Sequence, residues 1–109
     1  MRIVRYTGRF RRDYKREKSG RRGKRLDAEL LQAVTMLAKD EPLPRRYFDH
    51  ALAGEWTDHR DCHNRPDLIL IYRKPDDTNL DLIRLGSHSQ LGYDDVLGDG
   101  ARRIAAIGW

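Results

Sequence analysis

Leu68-Ile69-Leu70-Ile71-Tyr72, introduced by Pro66 and Asp67, is the longest unbroken apolar run in the chain. Five residues fall far short of the roughly 20 that cross a bilayer. They suit a central strand covered on both faces. That reading decides the fold class, because such a strand needs a neighbour on each side. Downstream, Pro75-Asp76-Asp77-Thr78-Asn79 has turn composition, and Leu80 to Leu85 returns as the next strand. Upstream, Gly54 to Asp61, around Trp56, reads as the preceding strand. The second half of the chain therefore predicts three antiparallel strands.

The first half predicts helices. Leu26, Leu30, Ala33, Val34 and Leu37 recur at helical spacing in Leu26 to Asp40. Asp27 and Glu29 are expected in the first turn of that helix, where its dipole favours negative charge. Pro42 and Pro44 prevent continuation. Arg9 to Lys18 reads as a basic helix ended by Ser19-Gly20, and Gly20 to Gly23 closes a helical hairpin. Ile3 to Thr7 is rich in β-branched and aromatic residues and reads as a short strand broken by Gly8. The expected architecture is α+β: an N-terminal strand, a helical hairpin, then three antiparallel strands with helices on one face. Gly92, Gly98 and Gly100 punctuate an acidic linker, after which Ala101 to Ile107 can form a short terminal helix.

Composition bounds the rest. Of 109 residues, 36% are charged, against about 25% in ordinary soluble domains. Leu, Ile, Val and Phe still number 24, enough for one thin core and too few for two. The N-terminus, Met1-Arg2-Ile3-Val4-Arg5, lacks the apolar stretch of a secretory signal. The single cysteine, Cys62, excludes an internal disulfide framework. The expected location is the cytoplasm, with no membrane contact.

The net charge of +5 is unevenly spread. Residues 1–25 hold 12 Lys/Arg against two acids, a net of +10, and the remainder carries −5. A basic block of this kind attracts a polyanion through phosphate contacts and counterion release. A solvated helix face explains such a block equally well.

All four histidines, His50, His59, His63 and His88, lie between residues 50 and 88, with Asp61, Asp67 and Arg84 among them. His63 and Asp67 flank the entry to the central strand. Arg84 and His88 share parity, so an extended chain would point both to one face. If the strands are neighbours, these ends meet in one cleft. Histidine titrates near pH ~6.5 and can give or take a proton at neutral pH. RNA carries its own nucleophile, the 2′-OH. Cleaving it needs a base for that proton, an acid for the departing 5′-oxygen and a cation for the phosphorane charge. Two histidines, or a His/Asp pair, with Arg84 supply all three without a metal or other cofactor. A metal set of His50, His63, Asp67 and His88 is the competing reading. Zinc sites usually contain a close local pair, and His59 and His63 along a strand would stand about 13 Å apart. Cys62 points to the opposite side of a strand from Asp61 and His63 and reads as a small buried filler.

Three separated motifs resemble a known family. They are F-D-H-A-L at residues 48–52, R-D-C-H-N-R-P-D-L-I-L-I-Y at 60–72, and R-L-G-S-H-S-Q-L at 84–91. In order and spacing they resemble the YafQ branch of the RelE/ParE toxin superfamily, the toxins of bacterial type II toxin–antitoxin pairs, over residues 1–91. The resemblance implies a ribosome-dependent mRNA endoribonuclease, an antitoxin partner, and operator DNA contacted only through that antitoxin. It places His50, His63, Asp67, Arg84 and His88 in the active site. Arg84 is then the phosphate-contacting residue, His88 the proposed general acid, and Asp61 a further position linked to activity. Arg9, Arg11, Arg12, Lys15, Arg16, Lys18, Arg21, Arg22 and Lys24 would dock the basic hairpin on ribosomal RNA. Two departures bear on base recognition: family members carry aromatics where Leu68 and Gly92 stand here. Tyr93 can replace the second if the chain shifts by one residue. Residues 1–91 then form the toxin domain, and residues 92–109 read as a C-terminal extension to it. Two other functions compete: a non-enzymatic ParE-type toxin that binds gyrase, and an inactive RNA-binding module that only partners an antitoxin.

Overall fold

The computed structural model describes residues 1–21 and 23–91. Arg22, the two aromatic-replacement positions Gly92 and Tyr93, and the expected helix at 101–107 lie outside them. The elements are β1 (Ile3–Tyr6), α1 (Gly8–Lys18), α2 (Gly23–Ala38), β2 (His50–Ala51), β3 (His59–Arg65), β4 (Leu68–Arg73), β5 (Asn79–Gly86) and α3 (His88–Leu91). Short 3-10 turns at Arg45–Tyr47 and Gly54–Trp56 flank β2. The five strands form one sheet in the order β1-β5-β4-β3-β2. β1 runs parallel to β5, and the other pairs are antiparallel. β4 is the middle strand, as its apolar run requires, and Leu68 to Tyr72 are all buried.

Alternation along the strands builds two cores. Cys62, Leu68, Leu70, Tyr72, Leu80, Leu82 and Leu85 face the helices and pack against Phe10, Leu26, Leu30, Ala33 and Leu37. Ile69, Ile71 and Ile83 face the other way, under a smaller cap of Leu52, Trp56 and Leu91. Each fully buried side chain of this kind stabilises by about 1.5–3 kcal/mol.

The hairpin is closed by local chemistry. The Thr7 side chain caps α1 by accepting from the Phe10 amide at 3.0 Å. A Cβ at Gly23 would stand 2.0 Å from the Lys18 carbonyl oxygen, so only glycine lets α2 start this close to α1. α2 begins three residues earlier than the apolar spacing predicts, and its first turn holds no acid. Asp27 instead joins the two helices, accepting from the Tyr14 hydroxyl and from Lys18 Nζ. Glu29 accepts from Arg65 Nε at 2.9 and 3.0 Å and ties α2 to β3. At the far end the left-handed Asp40 stops the helix ahead of Pro42.

β1 ends at Tyr6, opposite Leu82. Beyond that point α1 satisfies the exposed edge of β5: the Leu85 amide donates to Asp13 Oδ2 at 3.0 Å, and Arg16 Nη2 donates to the Leu85 carbonyl at 2.8 Å.

One strand is displaced from its expected place. The expected strand from Gly54 to Asp61 is a 3-10 turn followed by a strand that starts at His59. Gly54 takes a φ of 71°, which turns the chain and folds Trp56 down over the sheet as part of the smaller cap. The two-residue strand β2 was not expected. No helix among the described residues is long and apolar enough to cross a membrane.

Candidate active site

The candidate site lies on the sheet face opposite the helical hairpin. Backbone register aligns it. His50 of β2 stands across from Asp61 of β3, Asp61 from Ile71 of β4, and Ile71 from Arg84 of β5. In the adjacent row His63 faces Ile69, which faces Gly86. Opposed residues in an antiparallel sheet share a face, so His50, Asp61 and His63 join the face of Ile69 and Ile71. Cys62, one residue away, turns into the helix-side core, and burial raises its thiol well above the ordinary range.

Two histidines carry a carboxylate. His50 Nδ1 lies 2.9 Å from the Phe48 carbonyl oxygen and 3.0 Å from Asp61 Oδ1. Only the Phe48 contact has hydrogen-bond alignment; Asp61 is fully buried and lies at ion-pair distance. Both neighbours are acceptors, so the proton belongs on Nδ1 and the lone pair of a neutral ring on Nε2. That Nε2 is shielded from solvent and has no hydrogen-bond partner among the described residues. His88 Nδ1 stands 3.3 Å from Asp67 Oδ1, and the His88 amide donates to the same oxygen at 3.4 Å. Both contacts are long, and Asp67 is largely exposed.

His63 sits between the two pairs. Its ring centroid is 5.5 Å from that of His88 and 5.5 Å from that of Phe48. Phe48 in turn stands 5.1 Å from His50. The rings thus run His50, Phe48, His63, His88 across the face. Among the described residues, no three His, Cys, Asp or Glu side chains are arranged to hold one metal ion.

His88 reaches the site by a route that parity did not predict. β5 ends at Gly86, and His88 opens α3. The Ser87 amide donates to Gln90 Oε1 at 2.8 Å, and the Ser87 hydroxyl accepts from the Gln90 amide at 3.2 Å. This reciprocal pair is a capping box, and the S-x-x-Q spacing at residues 87–90 was its legible signal. It sets His88 in the first helical position and aims it back at Asp67.

Arg84 belongs to the cross-strand row, but its guanidinium turns to the sheet edge. Nε donates to Asp13 Oδ2 at 2.6 Å and Nη2 to Asp13 Oδ1 at 3.2 Å. Both side chains are nearly buried. Arg16 Nη1 donates to the same carboxylate at 3.0 Å. The β4–β5 register slips between Ile71 and Tyr72, so Ile83 and Arg84 together break the simple alternation of β5.

His59 stays outside the row. It packs on Trp56 at 4.6 Å and beside Asp58, and burial lowers its affinity for a proton. Asp49, which the sequence did not single out, accepts from the buried Tyr72 hydroxyl at 2.7 Å and from Arg60 Nε at 3.2 Å. It anchors the turn that leads into His50. Its one signal in the sequence was its place in the F-D-H-A-L motif, beside His50.

The basic residues divide into two groups. Arg11, Arg12, Lys15, Arg21 and Lys24 are exposed, and Arg9 is half-buried. Arg16 is engaged with Asp13, Glu17 and Leu85, and Lys18 with Asp27 and Gly23. Leu68 is fully buried in the helix-side core, so this position does not project onto the histidine face.

The family model described as "Bacterial toxin of type II toxin-antitoxin system, YafQ" matches residues 2–93. The mRNA interferase toxin YafQ of Escherichia coli strain K12 is 37% identical over 91 residues, covering 83% of this chain and 95% of that protein. The putative toxin YafQ of Haemophilus influenzae is 41% identical over 68 residues, 60% of this chain and 67% of that one. Among solved structures, the E. coli DinJ–YafQ complex superposes with a TM-score of 0.72 at 37% identity, covering 84% of this chain and 98% of its match. A metal-bound toxin from Helicobacter pylori gives 0.71 at 36% identity, with 84% and 99% covered.

Proposed function

This chain belongs to the YafQ family of toxins of bacterial type II toxin–antitoxin systems, and from that premise we propose that it is an mRNA interferase that cuts ribosome-bound messages by attack of the RNA's own 2′-OH. The observation that carries the reading is the pair of His–carboxylate couples, His50 with Asp61 and His88 with Asp67, set on either side of His63 on the open face of the sheet.

The chemistry follows from the proton positions. His50, with its proton fixed on Nδ1, takes the 2′-OH proton at Nε2. Asp61 stabilises the imidazolium that forms, as a buried carboxylate does behind a basic histidine. The freed 2′-oxygen attacks phosphorus. His88, protonated and oriented by Asp67, delivers a proton to the departing 5′-oxygen. The products are a 2′,3′-cyclic phosphate and a 5′-hydroxyl. His63 lies between the two couples and contacts the reacting phosphate. Arg84, at the β5 end of the cross-strand row, stabilises its growing charge once the guanidinium swings from Asp13 toward the message. His50 Nε2 is shielded and the His88–Asp67 contacts are long, which supports assembly of the working geometry only on the docked message.

The exposed cations of the helical hairpin lie on the far face and are suited to ribosomal RNA, leaving the histidine face for the message. The protein then acts in the cytoplasm, where translating ribosomes are. A cognate antitoxin neutralises it, as DinJ is found in complex with YafQ in E. coli. Operator DNA is reached only through that partner.

The test is a purified translation system. Primer extension should show cuts in an mRNA that is being translated and none in the same mRNA without ribosomes. Equal cleavage of naked RNA would remove the ribosome from the account, and intact message with inhibited gyrase supercoiling would replace it with the ParE-type reading.

A further inference from the structure

We propose that Phe48 is the platform on which a nucleobase beside the scissile phosphate stacks, and so a residue that sets substrate binding and base preference. The inference rests on the RNA-cleaving reading above and names a part of that site which neither the histidines nor Arg84 supplies.

Three independent features single out Phe48. Its side chain is large and apolar, yet 61% of it is exposed. Its backbone is left-handed, with φ 50° and ψ 43°, a conformation that bulky residues seldom adopt and that glycine or asparagine fits with less strain. Its ring stands in the middle of the imidazole row, with centroids 5.1 Å from His50 and 5.5 Å from His63.

The backbone conformation has a local purpose. It ends the turn at Arg45–Tyr47 and brings the Phe48 carbonyl to His50 Nδ1. A glycine would do both. The aromatic side chain therefore needs a separate reason, and strained, exposed residues concentrate where function demands them. The rings of His50 and His63 meet Phe48 at 62° and 80°. Neither imidazole covers a face of the phenyl ring by flat stacking.

The chemistry that fits an exposed ring beside an RNA-cleaving acid–base pair is base stacking. Single-stranded RNA is gripped by stacking its unstacked bases on aromatic side chains, and each such contact contributes about 5- to 150-fold in affinity. Among the described residues the rest of the face is poor in such surface: Trp56 and Leu91 are buried in its cap, and Leu68 lies in the opposite core.

The experiment compares Phe48→Gly and Phe48→Trp with the wild-type chain, measuring cleavage of ribosome-bound mRNA, the distribution of cut sites and the thermal midpoint. Phe48→Gly should keep or raise the midpoint, because glycine accepts the left-handed backbone. It should also lower cleavage about tenfold or more through weaker binding and spread the cut sites. Phe48→Trp should retain cleavage with an altered preference. Wild-type rate and cut sites in Phe48→Gly would overturn the proposal. So would a loss of cleavage that tracks a fall in the midpoint, which assigns the ring to packing alone.

Titration of a short single-stranded RNA, followed by NMR of the histidine rings, separates this proposal from its premise. If the wild-type chain cuts no message but its RNA-induced shifts vanish in Phe48→Gly, the platform stands and the cleavage reading fails. Equal shifts in both proteins remove the platform.

Discussion

The two faces of the one sheet follow different rules. Toward the helices, β3, β4 and β5 present Cys62, Leu68, Leu70, Tyr72, Leu80, Leu82 and Leu85. The one hydroxyl among them, on Tyr72, is satisfied by Asp49. Toward the other side the same strands present Ile69, Ile71 and Ile83, then give way to Asp61 and His63 at their margin. A single residue step, from Asp61 to Cys62 to His63, crosses from one regime to the other and back. The helix face is packed under the hairpin and stores stability, although a groove lined by Tyr6, Phe10, Tyr14, Leu30 and Val34 opens beside it. The opposite face carries only a small cap, and its titratable groups range from Asp61, buried beside His50, to the largely exposed Asp67 beside His88. The difference teaches that strand alternation sets an apolar core and a candidate polar site one residue apart on the same strands.

That separation can be broken in a graded way. The largest effect is expected on the open face: His88→Ala should lower message cleavage by about 10²–10⁴-fold, while the urea midpoint stays near the wild-type value. Full cleavage by that variant would take His88 out of the chemistry. On the helix-covered face, Leu70→Ala removes a fully buried side chain and should cost about 2–5 kcal/mol in urea unfolding, with cleavage per folded molecule unchanged. Ser87→Ala links the two regimes. It should cost about 1 kcal/mol of stability, the worth of a helix cap, yet reduce cleavage noticeably, because the cap orients His88 toward Asp67. An unchanged rate would show that His88 does not need its helical turn.

The smallest effect is a pH slope. Burial holds His59 below its ordinary value near 6.5. The unfolded chain therefore takes up this proton at a higher pH than the folded one. Stability from this group is complete above about 6.5 and is lost as pH falls toward the lowered value. Thermal midpoints measured across that window should show a shallower acid-side decline in His59→Gln.

How far the sequence carries depends on whether a feature is set locally. The apolar run at Leu68–Tyr72 announced its own double burial. Leu26, Leu30, Ala33 and Leu37 announced the face of α2, and the clustering of His50, His63, Asp67 and His88 in sequence anticipated that the fold brings them close together. Other features depend on partners distant in the chain. Asp27 and Glu29 read as helix-start residues, but glycine at position 23 let the helix begin earlier and freed both carboxylates for Tyr14, Lys18 and Arg65. Trp56 read as a strand residue because of its type, whereas the turn at Gly54 made it a lid. Arg84 and His88 shared parity only on paper, because the register slip and the capping box intervene. The grip of Asp13 on Arg84 joins residues 71 positions apart, and no local pattern encodes it. Phe48 was quoted within a motif, but its left-handed backbone and exposure emerge only in three dimensions.

The central claim is that two His–carboxylate couples drive attack by the RNA's 2′-OH, and the ends of the cut message test it most directly. Fragments from a translating ribosome treated with the wild-type protein should carry a 2′,3′-cyclic phosphate, or the monophosphate it hydrolyses to, on one side and a 5′-hydroxyl on the other. Fragments bearing a 3′-hydroxyl and a 5′-phosphate would mean that water, not the neighbouring hydroxyl, attacked phosphorus, and would contradict the account.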